Sequence, residues 1–230
     1  MEILLKDGLE LQEKNNINYV VRDGELLRYQ PWTGGVMGAM YDSVMRGSVF
    51  PRKFGADYFK HYDILKDQLS SLENKKILEI GTGTGLLCNF LHRSNCYYGS
   101  DVSDGLLKKA LKVLKKKHFK ESLLFHCSGD DLPFENDQFD IILCNLTMNL
   151  FPNTDLFLSE VQRTLKLEGG FFCSVPVLDR KRGKGEIEGK LFSEDTLKEL
   201  FYQKGFFFST LHYQNGAVFY FVARKQIPGS

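Results

Sequence analysis

Lys75-Lys76-Ile77-Leu78-Glu79-Ile80-Gly81-Thr82-Gly83-Thr84-Gly85 is the stretch on which the fold turns: a short apolar run closed by three alternating glycines. A run of this length bounded by glycine reads as a buried strand. Residues 86–94 follow with helical spacing of their apolar positions, so strand, glycine loop and helix succeed one another directly. Strand patterns recur at 96–101, 122–127, 139–145 and 169–177. Between them lie a helix opened by Ser103 or Asp104, with Leu106, Leu107, Ala110, Leu111 and Leu114 on one face, and a second helix near 154–167. Strands alternating with helices specify a parallel, doubly wound sheet. After a helix at 193–204, two apolar runs flank Gln214-Asn215-Gly216, a hairpin signal because Asn and Gly both tolerate positive φ. The expected fold is therefore α/β: a Rossmann-like, doubly wound sheet of seven strands, mostly parallel, ending in an antiparallel C-terminal hairpin. Texture changes near residue 75, which divides the chain into an N-terminal extension over 1–70 and a core over 71–225.

With 230 residues, 43% hydrophobic and 26% charged, the chain has the balance of a globular protein with a sizeable core. A formal net charge of +1 gives no global attraction to nucleic acid or an anionic membrane. Cys88, Cys96, Cys127, Cys144 and Cys173 are odd in number, widely spaced and set beside apolar residues, so they read as small buried hydrophobes of a reducing compartment. No metal is expected. The first 14 residues lack the continuous apolar core of a secretory signal, and no stretch approaches the ~18 apolar residues of a membrane span, so a cytoplasmic location is expected.

The chemistry begins at the glycine loop. Glycines let backbone approach a ligand closely, and a helix start offers unpaired N–H groups. Taken alone the loop also fits a dinucleotide or a tight turn without a ligand, although Gly-x-Gly-x-Gly departs from the Gly-x-Gly-x-x-Gly of dinucleotide sites. Asp101, at the end of the second core strand, stands where a carboxylate can accept hydrogen bonds from both ribose hydroxyls.

Four segments in order, ILEIGTGTG (77–85), GSDVSDGLLKKA (99–110), DDLPFENDQFDIILCNLTMNLF (130–151) and EVQRTLKLEGGFFCSVP (160–176), resemble the class I S-adenosylmethionine-dependent methyltransferases, in particular the methyltransferase type 11-like group with small-molecule and miscellaneous substrates. The resemblance covers roughly 70–224. It implies S-adenosyl-L-methionine as cofactor and S-adenosyl-L-homocysteine as product. It assigns Glu79 to orient the loop near the methionine amino group, Gly81, Thr82 and Gly83 to the backbone passage beside the cofactor, Asp101 to the ribose and Val102 to the adenine face. Where the family commonly has an acidic then a small residue against the adenine edge, this chain has Ser128 and Gly129, so Asp130 or Asp131 is the candidate replacement for the charge. Asn145 and Leu146 fall where strand-end groups face the methionine moiety and the substrate. The family's proline before Gly-Gly is Glu168 here.

A sulfonium methyl is already electrophilic, so the protein mainly aligns a nucleophile and few catalytic residues are obligatory. His61, His126 and His212 are the candidates for a general base, and none is singled out. Residues 37–65, rich in aromatics and methionine, precede the core where this family often places a lid. Tyr41 and Asp42 are expected to help close the site, with Tyr58 and Tyr62 available for orientation or cation–π contact. Residues 16–30 read as a hairpin about Asp23-Gly24, weakly similar to the zinc module ahead of some ribosomal-RNA methyltransferases; lacking cysteine, the segment is expected to be a simple strand pair edging the cleft. Arg180-Lys181-Arg182-Gly183-Lys184 reads either as a basic loop for an anionic acceptor or as an ordinary mobile loop. The leading expectation is methyl transfer to a small molecule by a monomer or homodimer. RNA or protein as acceptor, and a non-catalytic cofactor-binding module, are the other two readings.

Overall fold

The computed structural model describes residues 3–29 and 41–226, without the side chain of Tyr41. At its centre is β4 (Lys76–Ile80), the apolar run ahead of the glycines, buried at all five positions. Successive side chains of a strand point to opposite faces, so Ile77 enters the packing on one side of the sheet and Leu78 that on the other. β4 is flanked in parallel by β5 (Cys96–Asp101) and β7 (Phe139–Asn145), and β5 in turn by β6 (Glu121–His126). The chain thus builds β4, β5 and β6 outward and then returns to the opposite side of β4. That reversal leaves a crevice at the carboxyl ends of β4 and β7, where open α/β sheets bind ligands.

β8 (Leu165–Pro176) runs parallel to β7, and the antiparallel pair β9 (Phe206–Asn215) and β10 (Val218–Lys225) completes the seven expected strands. One face carries α2 (Tyr58–Leu69) and α3 (Asp104–Lys117), through Ile64, Leu65, Leu107 and Leu114. The other carries α4 (Thr154–Thr164) and α5 (Glu194–Gln203), through Phe157, Leu158, Leu197 and Phe201. Ser103 is the N-cap of α3, accepting from the Leu106 amide.

Three features depart from the sequence reading. The N-terminal strands β1 (Leu9–Lys14), β2 (Ile17–Arg22) and β3 (Glu25–Leu26) extend the same sheet, β2 pairing in parallel with β6, so the full sheet has ten strands. Beside the Asp23-Gly24 turn there is a second tight turn at Asn15-Asn16, both residues at positive φ. The helix expected over 86–94 is only a 3-10 turn, Leu86–Asn89. Here the polar side chains of the following turn compete with helical bonding: Asn95 donates to the Leu72 and His92 carbonyls, and Ser94 Oγ accepts from the Asn74 amide. The terminal hairpin forms, but Asn215 keeps a negative φ and only Gly216 is left-handed. The Asn215 side chain is used elsewhere.

Candidate active site

The glycine loop leaves β4 with the amides of Gly81, Thr82, Gly83 and Gly85 already occupied. Gly81 and Thr82 N–H both donate to the Ser100 carbonyl at 2.9 Å, Gly83 N–H donates to Asp101 Oδ2 at 2.9 Å, and Gly85 N–H donates to the Thr82 carbonyl. With no long helix behind it, the loop offers a shaped backbone rather than a helix dipole. Gly81 is left-handed at φ +72° and a Cβ there would lie under 3.0 Å from the Thr147 side chain, so this position admits only glycine. At Gly83 the nearest atom to an added Cβ is 4.0 Å away, so its backbone faces open space.

Glu79, from β4, is 2% exposed and accepts hydrogen bonds from the Thr82 and Tyr97 hydroxyls. Burial pushes its carboxyl up to about 8, against the opposing pull of those two bonds. Asp101 accepts from Gly83 N–H and, at 2.8 Å, from Ser103 N–H; its burial raises its pKa, although the two amides favour the charged form. The same carboxylate therefore ties the loop to the start of α3.

Beyond Asp101, the Val102 carbonyl accepts from His126 Nε2 at 3.0 Å, so Nε2 carries a proton. Tyr19 and Tyr29 flank the same ring, with centroids 5.2 and 5.6 Å away. His126 Nδ1 and Tyr29 Oη are buried with no hydrogen-bond partner among the described residues. Ser128 Oγ bonds Asp130, while Asp131 is committed to Arg22 at 3.3 Å and Lys6 at 3.7 Å. Of the two candidate replacement acids, Asp130 meets Ser128 through its side chain, while Asp131 meets it only through its backbone amide. Gly129 lies against Ile80 and Phe151. His126 and Tyr29 escaped assignment from sequence because only the addition of β2 and β3 to the sheet brings them together.

On the other side of the loop is a cavity lined by Glu79, Gly81, Thr82, Gly83, Asn145 and Leu146 from the core, and by Asp42, Met45, Phe50, Tyr58, His61 and Tyr62 from the segment before it. That segment comprises α1 (Tyr41–Val44), a π-helical stretch Met45–Phe54, and α2. Asp42 lines this cavity; the side chain of Tyr41 lies outside the described residues. Tyr58 and Tyr62 bond through their hydroxyls. Asn145 Oδ1 accepts from Ser174 Oγ at 2.6 Å. Of the three histidines, His61 is in the cavity, His126 is held at the far end by a backbone bond, and His212 is exposed on β9.

The basic loop after β8 is folded onto this cover. Gly183 N–H donates to the Lys53 carbonyl at 3.0 Å and Gly185 N–H to the Arg52 carbonyl at 2.7 Å; Lys53 pairs with Glu188. Arg180 is turned inward: it pairs with Glu194 at 2.6 Å, donates to the Tyr213 and Val218 carbonyls, and lies 4.8 Å from the Phe219 ring centroid. It serves the fold, not an anionic ligand. Among the described residues, no cluster of His, Cys, Asp or Glu is placed to hold a metal and no helix is long and apolar enough to cross a membrane.

A glycine loop after the first core strand, an acid at the end of the second and a cavity at the reversal point are thus gathered at the carboxyl ends of the strands. The sequence profile of the methyltransferase domain family matches residues 71–210, and the chain belongs to the class I S-adenosylmethionine-dependent methyltransferases. An uncharacterised protein of Methanocaldococcus jannaschii is 29% identical over 165 residues, 68% of this chain and 73% of that one. A fatty-acid O-methyltransferase of Mycolicibacterium smegmatis is 36% identical over 109 residues, 45% of this chain; the match spans only 37% of the relative. Among solved structures, an S-adenosylmethionine-dependent methyltransferase of Aquifex aeolicus superposes with a TM-score of 0.60 at 17% identity, covering 83% of this chain and 97% of that one. That likeness speaks to the fold.

Proposed function

We propose that the protein binds S-adenosyl-L-methionine along the carboxyl ends of β5, β4 and β7 and transfers its methyl group to a small, largely apolar acceptor. The observation that carries this reading is the single cavity shared by the glycine loop and the aromatic cover, which puts an acceptor beside the place where the cofactor's reactive end would lie. The residues fit the cofactor. Gly83 presents bare backbone to open space, Glu79 is a buried carboxyl beside the loop, and His126 Nδ1 and Tyr29 Oη are unpartnered polar atoms at the opposite, adenine end. Glu79 with the Gly81-Thr82-Gly83 backbone would hold the methionine part, with Asn145 beside it; Asp101 the ribose; and Val102, Ser128, Gly129 and Asp130 the adenine. When bound, the cofactor supplies an electrophilic methyl group. The chain's part is to orient the acceptor in line and to keep water out, for which Met45, Phe50, Leu86 and Leu146 form apolar walls.

The lipid-directed relatives and the apolar walls both support a small-molecule acceptor, as does the inward-turned Arg180, which removes a charge from the surface an RNA would use. Five buried thiols, none in a disulfide, support a reducing cytoplasmic setting. The reading is tested by calorimetric titration of S-adenosylmethionine and S-adenosylhomocysteine, with NADH as control, on wild type and Asp101→Ala. Binding of the first two, weakened at least tenfold in the variant, is expected; absence of binding by folded wild type rejects it. Salt-sensitive association with RNA would transfer support to a macromolecular acceptor.

A further inference from the structure

His61 is 1% exposed, lines the cavity, and bonds through Nδ1 to the Tyr220 hydroxyl at 2.8 Å; its other nitrogen, Nε2, has no hydrogen-bond partner among the described residues. Which nitrogen carries the proton is fixed by a chain of bonds that begins at backbone. Asp57 N–H donates to Asn215 Oδ1 at 2.8 Å, and Asn215 Nδ2 donates to the Asp57 carbonyl at 3.0 Å. Because a main-chain N–H only donates and a carbonyl only accepts, the Asn215 amide has one permitted orientation. The remaining Nδ2 hydrogen then goes to Tyr220 Oη, 3.2 Å away. The Tyr220 proton is left for His61 Nδ1, which accepts, so the neutral ring carries its hydrogen on Nε2. Burial favours that neutral ring, bringing the imidazole down to about 3, opposed by hydrogen bonding toward the Asn145 side chain, whose oxygen already accepts from Ser174 Oγ and does not come within hydrogen-bond geometry of Nε2.

We propose that His61 is a fixed hydrogen-bond donor of the site, not its general base, and that Nε2–H is delivered to an unprotonated carboxylate or carbonyl oxygen of a bound ligand. The inference rests on the methyltransferase reading for the identity of that ligand, but not for the tautomer. A buried N–H without an acceptor costs free energy that a ligand oxygen recovers. Two sources supply such an oxygen: the methionine carboxylate of the cofactor, or a carboxylate acceptor. Since Nε2 is closed off from solvent, either oxygen meets it only after the side chains around it shift. The titratable groups sharing the cavity are Asp42, Tyr58, Tyr62 and Glu79, with Tyr220 behind the ring. Tyr220 and Asn215 act as positioning residues.

The test is long-range proton–nitrogen NMR of the full chain labelled at histidine. The expected result is Nε2 protonated, Nδ1 bare and no titration of this ring between about pH 5 and 8, with Tyr220→Phe releasing the preference. A bare Nε2, or titration in that range, overturns the proposal. Calorimetry then locates the oxygen, using His61→Leu, which keeps the apolar packing, and His61→Gln, which restores an N–H. Weakening of S-adenosylhomocysteine by about tenfold in His61→Leu, rescued in His61→Gln, places it on the cofactor. Unchanged S-adenosylhomocysteine with loss of octanoate binding to that complex, octylamine being unaffected, places it on the acceptor. Neither loss removes the ligand role. If wild type bound no S-adenosylhomocysteine, the methyltransferase reading would fail while the NMR still decided the tautomer.

Discussion

Glu79 sets the electrostatics of the site. With its carboxyl raised to about 8, it is largely protonated at neutral pH in the free protein. A cation placed beside it favours the ionised form, so binding of S-adenosylmethionine at pH 7 should release a proton. Titration in buffers of different ionisation enthalpy measures this directly: a buffer-dependent enthalpy in wild type and none in Glu79→Gln is expected. The stability of the free protein carries the same signature. Between the ordinary carboxylate range and about pH 8 the unfolded chain ionises Glu79 while the native state keeps it neutral, so stability falls as pH rises through that window. His61 acts in the opposite sense, since its depressed pKa means stability is present above its unfolded value and lost as pH falls from about 6.5 toward 3. Chemical unfolding followed against pH should show Glu79→Gln flattening only the upper limb.

At the scale of elements, three distant backbone segments meet over the site, and glycine permits each approach. A Cβ at Gly216 would lie under 3.0 Å from the Phe54 and Gly55 carbonyl oxygens, and its φ of +57° strains any other residue. Gly216→Ala should cost about 1–3 kcal/mol from the backbone conformation alone and should unseat the 45–54 stretch, seen as faster hydrogen exchange there while α4 and α5 stay protected. Arg180→Ala breaks a mostly buried pair and two bonds to backbone. A loss of about 3 kcal/mol in unfolding free energy is expected, with S-adenosylhomocysteine affinity unchanged. A variant equally stable but weaker in ligand binding would restore the basic-loop reading. The glycine loop and Asp101 were legible in sequence because each is local to a strand end. The shortened turn at 86–89 was not: apolar spacing predicts a helix, and nothing in that spacing registers that Asn95, several residues on, bonds back to Leu72 and His92.

For the molecule as a whole, the N-terminal segment is structural. Ile17 is fully buried and packs with the α2 and α3 face, Val20 enters the opposite core, and Leu5 bridges to Phe134. Expressing residues 71–225 alone should uncover the β6 edge and these apolar faces, giving an aggregating product by size-exclusion chromatography where the full chain is well behaved. Sequence alone determined the seven core strands, their parallel arrangement and the terminal hairpin, because periodicity and turn chemistry are properties of neighbouring residues, and four matching segments carried the family resemblance. Tertiary structure alone decided that the sheet continues through β1 to β3, that Arg180 faces inward, and that His61 is a donor. The last depends on bonds joining residues 158 and 159 positions apart, and the direction of a hydrogen bond exists only once the fold has brought its two ends together.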